Sequence, residues 1–347
     1  MARAPVWEPN FHNLELVLQR RVPPRPVLFE FILASAKEKL LIGKEIRQET
    51  EFDRVVTTIK AFGAAGYDHA TIIVRGLSFP RREDTSHHQM ATKSLNFGAM
   101  ITDWETFNAY QWPSIADCDF SIIDQAAKYL VGKAKLVPFS FDGILENVIG
   151  IMGYEQLCYL LYDEPDLVAK VFHEVGSRLE AYFQKCLEYS AVGAIICNDD
   201  WGFNSQTMVP PAVLREHVFP WYKRIVARAH ACGKYAILHS CGYYHDIIED
   251  IIADIRFDGR HSYEDKIVPI ERAYGELAGR IAVIGGLDVD FLTRASSTQV
   301  YERSRNMLLL TKESGGYALG SGNSIPDYIP DENYLAMLNA AYDLGDL

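Results

Sequence analysis

The amino-acid sequence predicts a single-domain (β/α)8 barrel, the TIM barrel, of the α/β class. The prediction rests on eight short apolar or β-branched runs, helical segments between them, and the lack of a Pro/Gly/Ser-rich linker that would mark a second domain. Each run is short enough to be a buried parallel strand. The runs span residues 27–33, 70–75, 136–142, 194–200, 235–242, 256–264, 281–288 and 316–323.

The clearest predicted helix spans residues 165–189. Apolar side chains recur three or four residues apart along one side of it, at Val168, Val171, Val175, Leu179, Tyr182 and Cys186. Pro165 suits a first helical turn, where its missing N–H costs nothing, and Asp163 is a candidate cap just before it. Strands that alternate with helices favour a parallel sheet.

Eight runs fit a closed barrel better than an open doubly wound sheet, and the chain has neither a G-x-G-x-x-G nor a G-x-x-x-x-G-K-[ST] phosphate loop. The longest gap between runs, residues 77–135, exceeds the usual connection length and contains His87 and His88. We expect it to carry an inserted lid and one or two helices. The simplest domain organisation is one domain over residues 1–347.

Charge and composition exclude several classes of partner. The net charge is -12 and no cluster of Lys and Arg is present, which argues against binding nucleic acid or an anionic membrane. No apolar run reaches the roughly 18 residues that a membrane span needs, and the opening residues do not resemble a secretory signal, so we expect a cytoplasmic protein. Six irregularly spaced cysteines make a disulfide framework improbable.

The segment His239-Ser240-Cys241-Gly242 ends one predicted strand, and barrel enzymes place their catalytic groups at such ends. Residues two apart on a strand point to the same side, so the His239 imidazole and the Cys241 thiol should face one pocket. They form a plausible pair of zinc ligands. Because H-x-C arises easily by chance, a buried thiol beside a rim histidine is the alternative.

A second segment, Asn198-Asp199-Asp200-Trp201, ends another predicted strand. Asn198 and Asp200 should share one face, with Asp199 on the other. The two carboxylates are candidates for a metal site or a general base, and helix capping is the alternative. Trp201 is a candidate floor for a substrate pocket, with packing under the next helix as the alternative.

Three further polar residues at strand ends are candidate substrate contacts, namely Glu30, His261 and Asn323. Asn198 and Trp201 belong to the same predicted set. For His261, a simple hydrogen bond at the barrel rim is the alternative.

At these residues the sequence resembles the uroporphyrinogen decarboxylase-like superfamily, in particular its zinc-dependent, corrinoid-linked methyltransferase branch. The resemblance covers the C-terminal half well and the N-terminal third only loosely. It is carried by the segments 198–202, 233–242 and 285–288 and by Gly320-Ser321-Gly322-Asn323-Ser324-Ile325-Pro326.

The resemblance implies a bound Zn²⁺ ion and a methyl group that passes to or from cobalamin. His239 and Cys241 match the first two metal ligands of the branch, while Asn323 stands where the branch has a third ligand, a cysteine in G-C-x-x-P. Asp200, Glu30 or His261 would then have to complete the site. The chain has no D-x-H-x-x-G signature, so a separate corrinoid protein would carry the cobalamin. The resemblance also implies a possible homodimer.

These observations leave three functional hypotheses. The first is a methyltransferase that acts on a small ether, amine or thiol with a metal as Lewis acid. The second is a metal-free decarboxylase or lyase in which Asp199, Asp200 and His239 transfer protons. The third is a non-catalytic small-molecule-binding barrel. Decarboxylation of a porphyrinogen itself fits less well, because residues 34–39 lack the arginines that would bind its carboxylates.

Overall fold

The computed structural model describes residues 5, 7–43, 50–81, 95–96 and 99–345. Its centre is a seven-stranded sheet whose spatial order follows the chain, and all six neighbouring pairs are parallel. The strands are β1 (His69–Ile73), β2 (Lys135–Phe139), β3 (Ala194–Asn198), β4 (Tyr235–His239), β5 (Gly259–His261), β6 (Ala282–Ile284) and β7 (Tyr317–Ala318). The predicted α/β class and seven of the eight strand runs are confirmed.

The first predicted run, residues 27–33, lies beside the last strand without forming a regular ladder. Two isolated parallel bridges join Leu28 to Leu319 and Leu33 to Ile325. Within the described residues no backbone ladder joins this run to β1. The structure therefore shows a parallel, seven-stranded half-barrel, and closure into an eight-stranded barrel stays a prediction.

Helices connect the strands. They are α1 (Phe11–Leu18), α2 (Ser35–Ile42), α3 (Glu51–Ala64), α4 (Trp104–Ala109), α5 (Ile122–Ala127), α6 (Ile144–Met152), α7 (Tyr154–Asp163), α8 (Pro165–Leu187), α9 (Pro211–Val213), α10 (Phe219–Ala231), α11 (Ile270–Leu277), α12 (Val289–Arg294), α13 (Ser297–Thr311) and α14 (Asp331–Gly345). Short 3₁₀ turns occupy Ile115–Asp117 and His245–Ile247, and π-helical turns occupy Leu214–Val218 and Asp250–Ile255.

The predicted long helix is confirmed as α8, with Pro165 in its first turn. The capping role predicted for Asp163 is wrong. Asp163 is the last residue of α7, and Glu164 occupies the N-cap position of α8 without a side-chain cap bond. The two helices are separated by that single residue, which leaves no room for a cap from Asp163.

The predicted insertion, residues 77–135, contains α4 and α5, which agrees with the one or two helices expected there. His87 and His88 lie outside the described residues, and the lid stays a prediction. All six cysteines are free. In the described part of the chain, no helix is both long and apolar enough to cross a membrane.

Alternation along the strands separates two apolar cores. In β3, Ala194 and Ile196 belong to a cluster inside the curved sheet, whereas Ile195 and Cys197 pack in the larger cluster beneath the helices. The same alternation continues to the C-terminal strand ends. The register then places Asn198 beside His239 and His239 beside His261, so three polar side chains of adjacent strands become neighbours at one end of the sheet.

Candidate metal centre

The end of β4 carries two of the predicted metal ligands. The Nε2 atom of His239 lies 3.8 Å from the Sγ atom of Cys241, so the two side chains face the same space as their spacing predicts. Directly after Cys241 the chain turns at Gly242, which has a φ of +85°. A Cβ atom there would lie 2.1 Å from the main-chain oxygen of Gly202, so only glycine fits this close approach.

Asp200 joins this pair from the end of β3. Its Oδ1 atom accepts a hydrogen bond of 2.7 Å from the main-chain N–H of Cys241. One ligand atom from each of Asp200, His239 and Cys241 lies within 4.8 Å of the other two. The structure thus brings together the three residues that the sequence predicts as metal ligands.

Two hydrogen-bond donors orient the Cys241 sulfur. The Ser262 hydroxyl donates to Sγ at 3.1 Å, and the amide nitrogen of Asn323 donates at 3.3 Å. Burial and the nearby Asp200 carboxylate nevertheless raise the pKa of the Cys241 thiol well above its usual value. A cation bound between the Cys241 sulfur and the Asp200 carboxylate would lower the pKa of both groups, because it favours the thiolate and the carboxylate.

Asp199 points to the opposite side of β3. Its carboxylate accepts 3.0 Å hydrogen bonds from the first three main-chain N–H groups of α6, at Ile144, Leu145 and Glu146, and another of 3.0 Å from the Tyr222 hydroxyl. Burial raises the pKa of Asp199 to about 6. These contacts support helix capping, and the catalytic role of Asp199 stays a prediction.

Trp201 and Asn198 also have mainly internal contacts. Trp201 is fully buried and packs against Phe219 and Tyr222, which supports packing beneath the following helix rather than a pocket floor. Asn198 donates to the Phe141 carbonyl at 3.3 Å and accepts from the Ser140 hydroxyl at 3.4 Å. It therefore ties the ends of β2 and β3 together, and substrate contact by either residue stays a prediction.

His261 and Glu30 lie behind the metal group and do not join it. The Nδ1 atom of His261 lies 2.7 Å from Nδ1 of His239, and its Nε2 atom lies 3.2 Å from the Ser321 carbonyl oxygen. Glu30 accepts from the main-chain N–H of Ser321 at 2.7 Å and from its hydroxyl at 2.6 Å. Both residues are fully buried. Of the three residues considered for completing the site, only Asp200 joins the pair in one group of ligand atoms. The substrate contacts predicted for His261 and Glu30 stay predictions.

Burial sets the protonation of both residues. It lowers the pKa of His261 to about 3 and raises that of Glu30 to about 8. His261 is therefore neutral at physiological pH, and Glu30 holds a proton until the solution becomes mildly alkaline.

Sequence reasoning missed Arg260, in the middle of β5. This fully buried guanidinium donates to the carbonyl oxygens of Ser240 at 3.0 Å and Ser262 at 2.7 Å, which joins the chain just beyond β4 to the chain just beyond β5. It also lies 3.9 Å from the ring centre of Tyr244 and 4.7 Å from that of Tyr263. A charged residue at the centre of a predicted buried strand was the signal that could have found it.

A cavity of about 370 Å³ lies beyond the C-terminal ends of β5, β6 and β7. Asn323 lines this cavity and also contacts the Cys241 sulfur, whereas Asp200, His239 and Cys241 are not among the lining residues. Its other polar lining residues include Glu264, Lys266 and Asp288. The predicted contact between Asn323 and substrate fits this position.

The fold and the donor group define a parallel α/β protein with a candidate metal centre at the C-terminal ends of its strands. Residues 130–344 match the uroporphyrinogen decarboxylase (URO-D) family, and the chain belongs to that family. The matched region runs from the residues before β2 through most of α14 and includes all three candidate ligands. The superfamily resemblance noted in the sequence is therefore confirmed.

Among solved structures, a methyltransferase from Methanosarcina mazei has a TM-score of 0.69 at 14% identity, over 95% of this chain and 97% of the other. The two proteins share a fold over nearly their whole lengths. Xylanase B from Clostridium stercorarium F9 has a TM-score of only 0.40 at 12% identity, over 66% of this chain and 84% of the other. The comparison with curated proteins found no match.

Proposed function

We propose that the protein is a metal-assisted methyltransferase that moves a methyl group between a small methylated ether, amine or thiol and a corrinoid. A separate corrinoid protein would carry the cobalamin. The observation that carries the proposal is the convergence of Asp200, His239 and Cys241 at the strand ends of a URO-D family member. The fold shared with a methyltransferase from Methanosarcina mazei supports it.

The donor atoms suit zinc in type, and the spacing of the His239 and Cys241 donors suits it as well. With a Zn–N bond of about 2.0 Å and a Zn–S bond of about 2.3 Å, tetrahedral coordination separates the two donors by about 3.5 Å. The observed separation of Nε2 of His239 from Sγ of Cys241 is 3.8 Å. Asp200 would supply an oxygen as the third ligand, and three protein ligands are typical of catalytic rather than structural zinc sites.

Residues around the ligands would hold them in place and admit substrate. When bound, Zn²⁺ supplies Lewis-acid chemistry toward a substrate heteroatom. Ser262 and Asn323 orient the Cys241 sulfur, and the Cys241 amide orients the Asp200 carboxylate. The cavity that Asn323 lines would hold a small substrate, and Asn323 is the residue that connects this cavity to the Cys241 sulfur.

The test is methyl transfer to free cob(I)alamin, followed by its absorbance change, with a panel of methylated ethers, amines and thiols. We expect turnover with at least one substrate class, loss of turnover after treatment with a chelator, and recovery after addition of Zn²⁺. Turnover that persists in protein from which the chelator has removed all metal would contradict the proposal.

Membership in the URO-D family favours one other function, a metal-free decarboxylase or lyase. Asp200 and His239 would then transfer protons, and burial raises the pKa of Asp200 so that it holds a proton more readily. Carbon dioxide release from a carboxylated substrate by metal-free protein, lost in Asp200→Asn, would support this candidate instead. Ligand binding without turnover in either assay would indicate a non-catalytic barrel.

A further inference from the structure

The candidate ligand His239 has its second ring nitrogen bonded to another histidine. The Nδ1 atoms of His239 and His261 lie 2.7 Å apart, and the Nε2 atom of His261 lies 3.2 Å from the carbonyl oxygen of Ser321. Both rings are buried, with 6% of His239 and none of His261 exposed. This pair of contacts determines where the ring protons lie.

The ring protons can be assigned from the Ser321 carbonyl oxygen, which contacts Nε2 of His261. A carbonyl oxygen only accepts hydrogen bonds, so Nε2 of His261 must carry a proton. Both rings are buried, and among the described residues neither ring has a hydrogen bond or ion pair to a carboxylate, so a positively charged His261 would be an uncompensated buried charge. The neutral His261 ring therefore has no proton on Nδ1, which accepts a hydrogen bond from His239.

It follows that Nδ1 of His239 carries the proton and that Nε2 bears a free lone pair. Nε2 is the atom that faces the Cys241 sulfur, and metal ions bind unprotonated imidazole nitrogen. We propose that His261 is a positioning residue that fixes His239 in the Nδ1-protonated tautomer and so presents Nε2 to a metal ion. The metal-binding part rests on the proposed function, whereas the tautomer does not.

The chain of contacts behind His261 explains how it is held. Ser321 offers its carbonyl to His261 while its N–H and hydroxyl groups are both bonded to Glu30. Ser321 and Glu30 lie 291 positions apart in the sequence, so this support spans the two ends of the chain. It orients the first ligand from behind, as hydrogen-bonded partners of metal-binding histidines generally do.

The first experiment measures the tautomer in metal-free protein by ¹⁵N NMR of histidine-labelled samples. The His239 signals are assigned by their absence in His239→Ala. We expect Nδ1 of His239 to resonate in the region of protonated nitrogen and Nε2 in that of unprotonated nitrogen. The reverse pattern would overturn the proposal, whether or not the protein binds metal.

The second experiment compares variants of His261. His261→Phe keeps the ring volume but removes the acceptor, so His239 should populate both tautomers and Zn²⁺ affinity should fall about 10- to 100-fold. His261→Asn retains an acceptor near the Nδ1 position and should restore the native tautomer and most of the affinity. Affinity is measured by chelator competition and folding by circular dichroism.

His69→Phe is the matched control. His69 is equally buried, also contacts the Phe29 ring, and bonds to the Glu30 carbonyl rather than to His239. The His69→Phe variant should leave both the His239 tautomer and the Zn²⁺ affinity unchanged. If His261→Phe keeps the native tautomer and the native Zn²⁺ affinity, the proposal is refuted. If the native protein has the expected tautomer but binds no zinc, only the proposed function is refuted.

Discussion

The carboxylates of Asp199 and Asp200 are adjacent in the chain but serve opposite sides of the sheet. Asp199 accepts hydrogen bonds from the start of α6 and from Tyr222, whereas Asp200 accepts one from the Cys241 amide. Strand geometry causes the division, because successive side chains point to opposite faces. One carboxylate therefore belongs to the packing between sheet and helices, and its neighbour belongs to the candidate metal centre.

Replacing Asp199 should reduce stability while leaving metal binding intact. In Asp199→Asn the new amide N–H groups would oppose the N–H groups of α6, so we expect a loss of at least about 2 kcal/mol in the free energy of unfolding. Urea denaturation measures it. Tyr222→Phe removes one of the four hydrogen bonds to this carboxylate and should cost about 1 kcal/mol. A stable Asp199→Asn protein without metal or activity would instead indicate a role in catalysis.

Asp200→Asn should weaken metal binding while leaving stability nearly unchanged. Its amide oxygen can still accept from Cys241, so we expect little change in the unfolding free energy. Loss of the carboxylate ligand should weaken Zn²⁺ binding by at least about tenfold, measured by chelator competition. Unchanged affinity would remove Asp200 from the ligand set.

Zinc content should depend on both residues at the end of β4. We expect close to one zinc per chain by mass spectrometry in protein purified without chelator, and none in His239→Ala or Cys241→Ala. Cys232→Ala is the matched control, because this free cysteine lies at the end of α10, away from the candidate ligands. Equal zinc in all four proteins would indicate adventitious binding elsewhere.

Asn323→Cys should strengthen zinc binding. The amide nitrogen of Asn323 lies 3.3 Å from the Cys241 sulfur, so a thiolate on residue 323 would lie close to the candidate ligands and add a soft ligand. We expect Asn323→Cys to raise Zn²⁺ affinity and to restore binding when combined with Asp200→Asn. Ser324→Cys, one residue further on, serves as the control and should do neither. If the double variant binds no better than Asp200→Asn alone, the site does not lie where the sulfur and the amide meet.

Glu30 should make the protein less stable as the pH rises. Burial raises its pKa from 4.5 to about 8 in the folded chain, so the unfolded state ionises first. Between these values, rising pH should cost up to about 1.4 kcal/mol of unfolding free energy per pH unit, with no further loss from this group above about pH 8. The glutamine side chain of Glu30→Gln cannot ionise, so the unfolding free energy of the variant should rise relative to that of the native protein from about pH 5 to 8. Urea denaturation measures both values. A constant difference across that range would show that Glu30 is already ionised when folded.

Local sequence patterns predicted much of the fold and part of the site. Seven strand runs and α8 follow from apolar periodicity, which depends only on neighbouring residues. The same reasoning placed His239 and Cys241 on one face and Asp200 opposite Asp199, because side chains alternate along any strand. These predictions needed no knowledge of which strands are neighbours.

Tertiary structure decided which residue accompanies the His239 and Cys241 pair. The sequence favoured Asp200 as the third ligand and left Glu30 and His261 as alternatives, and in the structure only Asp200 lies within reach of both. The pairing of β4 with β5 puts His261 behind His239, and the bridges near β7 bring Ser321 to Glu30 from the far end of the chain. Such contacts join residues distant in sequence, so local periodicity contains no information about them, and only the packed sheet determines them.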